Sequence, residues 1–234
     1  MNTKQAAAPT NQAAAASGRE APSGPTQVAC VGDSITAGAG IAIAAVFSYP
    51  AQLQRALGTG WNVTNFGVNG ATLLRSGDIP YQRQDAFAAA LRMKPDVVVI
   101  MLGTNDSKPK NWRGDDQFVV DYIDLIEKFE LLASKIYLCL PAPSVGGGNY
   151  AVSPATIVEE LPLIRELASS RHLGLVDVHS AFAGKEVLFS DRVHPTREGA
   201  GVIARTVYQA VTRHEYSGPA TDTFQGILRG MFSR

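Results

Sequence analysis

The chain has 234 residues, enough for one large α/β domain or two small ones, and at 45% hydrophobic and 18% charged it can bury a sizeable core. Its 21 basic residues balance 21 acidic ones and no basic stripe stands out, which argues against nucleic acid as a partner. No apolar run is long enough to span a bilayer; the longest, such as DVVVIML at 96–102, are strand-sized.

Residues 1–26, MNTKQAAAPTNQAAAASGREAPSGPT, are rich in Ala, Pro, Ser, Gly and Gln and poor in large apolar side chains, so a disordered leader is expected. It is a poor signal peptide, because Lys4 is the only early charge and Pro9 and polar residues break the Ala tracts. The chain leaves its compartment open between the cytoplasm and export. From residue 27 apolar, β-branched runs alternate with helical patterns. Strands are expected at 27–32, 61–68, 96–102, 135–141 and 173–178, and helices at 48–57, 83–92, 116–133, 154–170 and 196–213. Such alternation predicts one domain over 27–213, a five-stranded, mainly parallel sheet covered by helices on both faces. Continuous apolar strands agree with burial on both faces. Ser153 before Pro154 reads as a helix start, Thr196 after Pro195 as another, and Pro95 as the end of the helix before the third strand. Cys30 and Cys139 each fall inside a predicted strand and read as buried thiols rather than a disulfide.

In such sheets ligands gather at the carboxyl ends of the strands. The residues there are Gly32-Asp33-Ser34, Gly67-Val68-Asn69-Gly70, Gly103-Thr104-Asn105-Asp106, Pro141 onward, and a last segment holding Asp191 and His194. A phosphate loop needs a second glycine where Ala37 stands and a lysine that does not follow. The dinucleotide fingerprint fails too, with Ile43 at the third glycine position after Gly38 and Gly40. A G-x-S-x-G nucleophile elbow is missed at Thr36. What remains is Ser34 with a base from elsewhere. In SDRVHPT, Asp191 precedes His194 by three residues, so a turn can bring the carboxylate to one imidazole nitrogen and leave the other for a serine. Oxyanion donors are available in the Gly67 backbone N–H and the Asn105 side-chain amide.

Four blocks in order, GDSIT, NFGVNGAT, GTND and DRVHP, make residues 27–213 resemble the SGNH hydrolases, or GDSL esterase/lipase family. The resemblance implies a three-layer α/β/α, flavodoxin-like sandwich and ester hydrolysis through an acyl-enzyme, with no metal or cofactor. Ser34 is then the nucleophile, His194 the general base and acid, and Asp191 its orienting carboxylate. The oxyanion is expected on the Ser34 and Gly67 N–H groups and the Asn105 side chain.

Other residues take lesser roles. Asp33 is expected to brace its turn and Asp106 to cap a loop or support the site from behind. Asp177 and His179 lack a third metal ligand at a sensible spacing, so His179 reads as structural; His172 and His214 read as surface residues at helix ends. The loops at 106–115 and 142–150 are polar with isolated aromatics, and Asn69, Trp112 and Tyr150 are candidate substrate contacts suited to a sugar ring. The wording of the blocks is similar to bacterial members that deacetylate carbohydrates, so a small-molecule or oligosaccharide acetyl ester is the expected substrate. Against it stands the apolar GIAIAAVF at 40–47, which would suit a larger acyl pocket in a general short-chain carboxylesterase, lysophospholipase or thioesterase. A non-catalytic binding module on the same fold is the other class, disfavoured by an intact Ser34, Asp191 and His194. Residues 214–234 form an extension in which Phe224, Ile227, Leu228, Met231 and Phe232 make an apolar helical stripe, open to packing on its own domain, a homo-oligomer contact or a membrane surface.

Overall fold

The computed structural model describes residues 24–146 and 150–215. Five parallel strands form the sheet: β1 (Thr26–Gly32), β2 (Trp61–Gly67), β3 (Val97–Met101), β4 (Lys135–Cys139) and β5 (Gly174–Val176). Their order is β2-β1-β3-β4-β5. The chain therefore leaves β1 toward one edge and crosses back over it to β3, opening a crevice at the carboxyl ends of β1 and β3.

Eight helices accompany the sheet among the described residues: α1 (Ser34–Ala37), α2 (Ala44–Phe47), α3 (Tyr49–Leu57), α4 (Asp85–Met93), α5 (Asp115–Glu130), α6 (Pro154–Ser170), α7 (Val178–Ala181) and α8 (Arg197–Thr212). Strand side chains alternate between faces. Ala29, Val31, Val98 and Ile100 pack on α4, α5 and α6 through Phe87, Phe118, Tyr122, Phe129 and Ile164. Val28, Cys30, Val99 and Met101 point the other way, against Tyr49 and Leu53 of α3 and Ile203 and Val207 of α8. This is the expected α/β/α sandwich, with the five long helices close to their expected bounds.

Local chemistry sets the boundaries. Ser153 accepts a hydrogen bond from the Thr156 N–H (3.2 Å) to start α6, and Thr196 accepts from the Gly199 N–H (3.2 Å) to start α8. Helix α4 stops at Met93 because Lys94 turns left-handed (φ 49°) ahead of Pro95. Strand β5 is shorter than its apolar run because Asp177 accepts from the Ser180 N–H (2.9 Å) and turns 178–181 into α7. Cys30 and Cys139 are free and buried, as expected. Burial pushes the Cys30 thiol up to about 12, against a weaker opposing bond to Tyr49, and raises Cys139 as well, so both stay protonated. Among the described residues no helix is long and apolar enough to cross a membrane. The leader, up to residue 23, and the stripe at 224–232 lie outside the described residues.

Candidate active site

Ser34 is placed by a tight strand-to-helix turn. Asp33 caps α1, its Oδ1 accepting from the Ile35 N–H at 2.8 Å, and Gly38 closes the four-residue helix with φ 88°. Gly32 has to be glycine: a Cβ there would sit 2.6 Å from the Met101 carbonyl oxygen on β3. Behind α1, Asn65 on β2 donates to the Thr36 carbonyl (2.8 Å), tying the edge strand to the helix that carries Ser34.

Asp191 and His194 sit on a short turn closed by the Phe189–Pro195 bridge. One carboxylate oxygen of Asp191 accepts from the Val193 and His194 backbone N–H groups (3.1 and 2.7 Å), and the other lies 2.7 Å from His194 Nδ1. His194 Nε2 lies 2.9 Å from Ser34 Oγ, across 160 positions of sequence. Burial pushes Asp191 up, but these hydrogen bonds outweigh it and hold the carboxyl at about 2, so it is ionised across the neutral range. Its charge favours the tautomer that keeps the proton on Nδ1 and leaves Nε2 to accept.

Ser34, His194, Asn69, Gly70, Asn105 and Tyr150 border a cavity of about 380 Å³. Three residues on its wall carry N–H groups with hydrogen-bonding capacity to spare. The Ser34 N–H opens a helix and has no intrahelical acceptor. The Gly70 N–H has no acceptor among the described residues. Asn105 Nδ2 spends one hydrogen on the Ala71 carbonyl (3.1 Å) and keeps the other. The expected donor Gly67 is not among them. Its N–H is bonded to Asn65 Oδ1 (2.9 Å), and the residue abuts Ala37, where a Cβ would approach the backbone nitrogen to 2.2 Å. Gly67 is a packing glycine, and Gly70 three residues later occupies the place expected for it.

Asn69 and Tyr150 do border the cavity, with the Tyr150 ring edge-on to His194 at 5.0 Å. Trp112 does not; it packs against Phe118 (5.5 Å) at the margin of the core. From the apolar stretch at 40–47, Gly40, Ile41, Ala42, Ile43 and Phe47 border another cavity of about 370 Å³ with Ser190, Thr196 and Arg197, sharing no wall residue with Ser34's. His179 Nδ1 meets the Pro141 carbonyl (3.1 Å) and Asp177 pairs with Arg165 (2.6 Å), so both have structural partners. His172 and His214 are exposed at helix ends.

Of the supports, Asp106 was expected from the sequence and Asn111 was missed. Asp106, buried, accepts from the Leu73 and Leu74 N–H groups (2.9 and 2.8 Å) and so pins the β2–α4 loop to the β3 end. Asn111 donates to the Asn105 carbonyl (2.9 Å) and to Asp78 (2.8 Å), fixing the turn that carries the amide. Burial raises Asp33 to about 6, against the Ile35 and Thr104 hydrogen bonds. It raises Asp106 to about 7, with the Asp33 charge adding, and lifts Glu160 well above the carboxylate range. An uninterrupted polar GTND after an apolar strand was the available signal for Asp106; Asn111 offered none.

A sequence model of the GDSL-like lipase/acylhydrolase family matches residues 30–202. The chain belongs to this family. Within the GDSL family it is 36% identical over 206 residues to an acetylxylan esterase of Xylanibacter ruminicola, covering 79% of this chain and 43% of that protein. The chain thus spans less than half the length of that curated relative. Among solved structures, an acetyl xylan esterase, AlAXEase, superposes with a TM-score of 0.64 at 25% identity, over 79% of this chain and 99% of that one. The carbohydrate acetylesterase Est24 of Sinorhizobium meliloti (TM-score 0.66, 18% identity, 80% and 99% coverage) shares the fold. So does an aryl esterase of M. smegmatis (TM-score 0.68, 18% identity, 80% and 99% coverage).

Proposed function

We propose that this GDSL-family chain is a serine esterase that removes acetyl groups from carbohydrates. The observation that carries the reading is the unbroken chain from Ser34 Oγ to His194 Nε2 (2.9 Å) and from Nδ1 to Asp191 (2.7 Å), beside three available N–H donors. Ser34 Oγ attacks the acetyl carbonyl carbon while His194 Nε2 takes its proton. The carbonyl oxygen, now anionic, is held by the Ser34 and Gly70 N–H groups and by Asn105 Nδ2. Collapse expels the sugar oxygen, which receives the proton from His194, and leaves an acetyl ester on Ser34. Water, deprotonated by His194, attacks that ester; acetate leaves and Ser34 is restored. Asp191 stays ionised throughout and stabilises the imidazolium.

The cavity supports a short acyl group and a polar alcohol. Asn69 and Tyr150 offer polar atoms to hydroxyls, and the apolar stretch at 40–47 that would suit a long acyl chain borders a neighbouring cavity with no lining residue in common with Ser34's. The acetylxylan esterase relative points the same way. A panel of acetylated xylan, acetylated sugars and aryl esters of rising chain length tests the reading, with Ser34→Ala as control. Acetyl esters should be preferred. Ser34→Ala should lose about 10⁴-fold or more in kcat, and Asn105→Ala about 10²–10³-fold. Preference for acyl chains of eight carbons or more, or full activity in Ser34→Ala, would overturn it.

A further inference from the structure

We infer that Lys108 makes this site selective for acetyl esters whose alcohol part carries an anionic group, above all acetylated saccharides that contain a uronate carboxylate. The inference rests on the esterase reading and names the substrate class for that same cavity. Lys108 is the one lysine or arginine on the cavity wall, and no carboxylate lines that wall among the described residues. Its ammonium forms no ion pair with any described residue, whereas Lys110, two positions on, is paired with Asp78 at 2.5 Å. Asp33 and Asp78 lie within electrostatic range of Lys108. Asp33 is sealed from solvent at 1% exposure, and Asp78 is held by Lys110 and Asn111.

The lysine is also well anchored. Its carbonyl accepts the Asn111 and Trp112 N–H groups (2.8 and 3.0 Å), and its own N–H reaches the Asn105 carbonyl (3.4 Å). The Lys108 side chain therefore leaves the same fixed turn that carries the Asn105 amide and lines the same cavity. An unpaired cation on a cavity wall costs little while hydrated. It gains when a substrate anion replaces that water in a partly enclosed space of lower dielectric. An acetyl group offers only a methyl beyond its carbonyl, so the anion has to belong to the alcohol portion. Asn69 lies on the same wall for sugar hydroxyls, and Tyr150, whose hydroxyl is hydrogen-bonded to Asp191, keeps its oxygen to accept from one.

The test compares kcat/KM for an O-acetylated uronic-acid disaccharide with that for its neutral O-acetylated counterpart, in wild type, Lys108→Gln and Lys108→Arg. The wild-type ratio should favour the acidic sugar and fall as salt rises. In Lys108→Gln the ratio should drop about fivefold to tenfold, the worth of one partly solvated charge-assisted hydrogen bond, and Lys108→Arg should retain most of it. A ratio in Lys108→Gln equal to that of wild type, with both sugars still deacetylated, overturns the inference and leaves the carbohydrate reading standing. Wild type that cleaves phenyl acetate but neither sugar overturns the carbohydrate reading and this inference with it.

Discussion

Asp33 stands next to Ser34, yet its carboxylate turns back on its own helix, with Oδ1 on the Ile35 N–H and the Thr104 side chain beside it. Burial raises it from 3.8 to about 6. A carboxyl raised by folding binds its proton more tightly in the folded state. Its stability contribution is therefore complete below pH 3.8 and is lost as the pH climbs through about 6, a swing of about 3 kcal/mol. Asp33→Asn keeps an oxygen for Ile35 and has no charge to desolvate. Its Tm relative to wild type should be higher at pH 8 than at pH 4.5; equal differences at the two pH values would show that Asp33 does not titrate in this window. Asp106 shares the sign, but an asparagine there could accept only one of the Leu73 and Leu74 N–H groups. The grouping of Ser34 with Asp191 and His194 was readable in the sequence because Ser34 lies just past a strand and the D-x-x-H spacing is local. Gly67 was preferred in the sequence because it closes the apolar run of β2, and only the path of the turn shows that its N–H is bonded to Asn65 while that of Gly70 is not bonded among the described residues.

At the level of elements, Gly67 belongs to the contact between β2 and α1. An alanine there meets the Ala37 backbone nitrogen at 2.2 Å, and backbone has little room to give. Gly67→Ala should cost about 1–3 kcal/mol in thermal unfolding, whereas Gly60→Ala, with nothing within 4 Å of the new methyl, should stay within about 0.5 kcal/mol. A Gly67→Ala protein of wild-type stability but crippled turnover would return Gly67 to the oxyanion site. The five strands and five long helices were readable because continuous apolar runs and apolar patterns of period 3.6 are long enough to register. Helices α1, α2 and α7 were not, since four residues show no period; they are set by caps such as Asp33 and Asp177 and by the turn at Ile43, whose φ is 58°. Trp112 was misread for a related reason: a lone aromatic in a polar loop looks exposed until its partner, Phe118 on the next helix, is known.

At the level of the whole molecule, the sheet gathers residues from β1, β2 and β3 at one end, but the base and its acid arrive together on one turn. That turn is closed on itself by Ser190 N–H to the His194 carbonyl (3.0 Å) and Thr196 N–H to the Leu188 carbonyl (2.7 Å). Its link to the loop after β4 passes through Arg192, whose carbonyl accepts the Val145 N–H (2.9 Å) and whose guanidinium donates to the Gly146 carbonyl (3.1 Å). Asp191 and His194 are therefore held in one small hydrogen-bonded unit. Phe189 anchors that unit in the same buried cluster as Val28, Val99 and Met101 of the sheet, and Val193 is buried too, so the unit should open only with that face of the core. On slow heating, turnover and the far-ultraviolet circular dichroism should be lost together. Turnover that fades at a lower temperature and recovers on cooling would mean that the turn opens by itself. Enzyme rate would then serve as a meter of one local equilibrium in a protein whose overall fold stays unchanged.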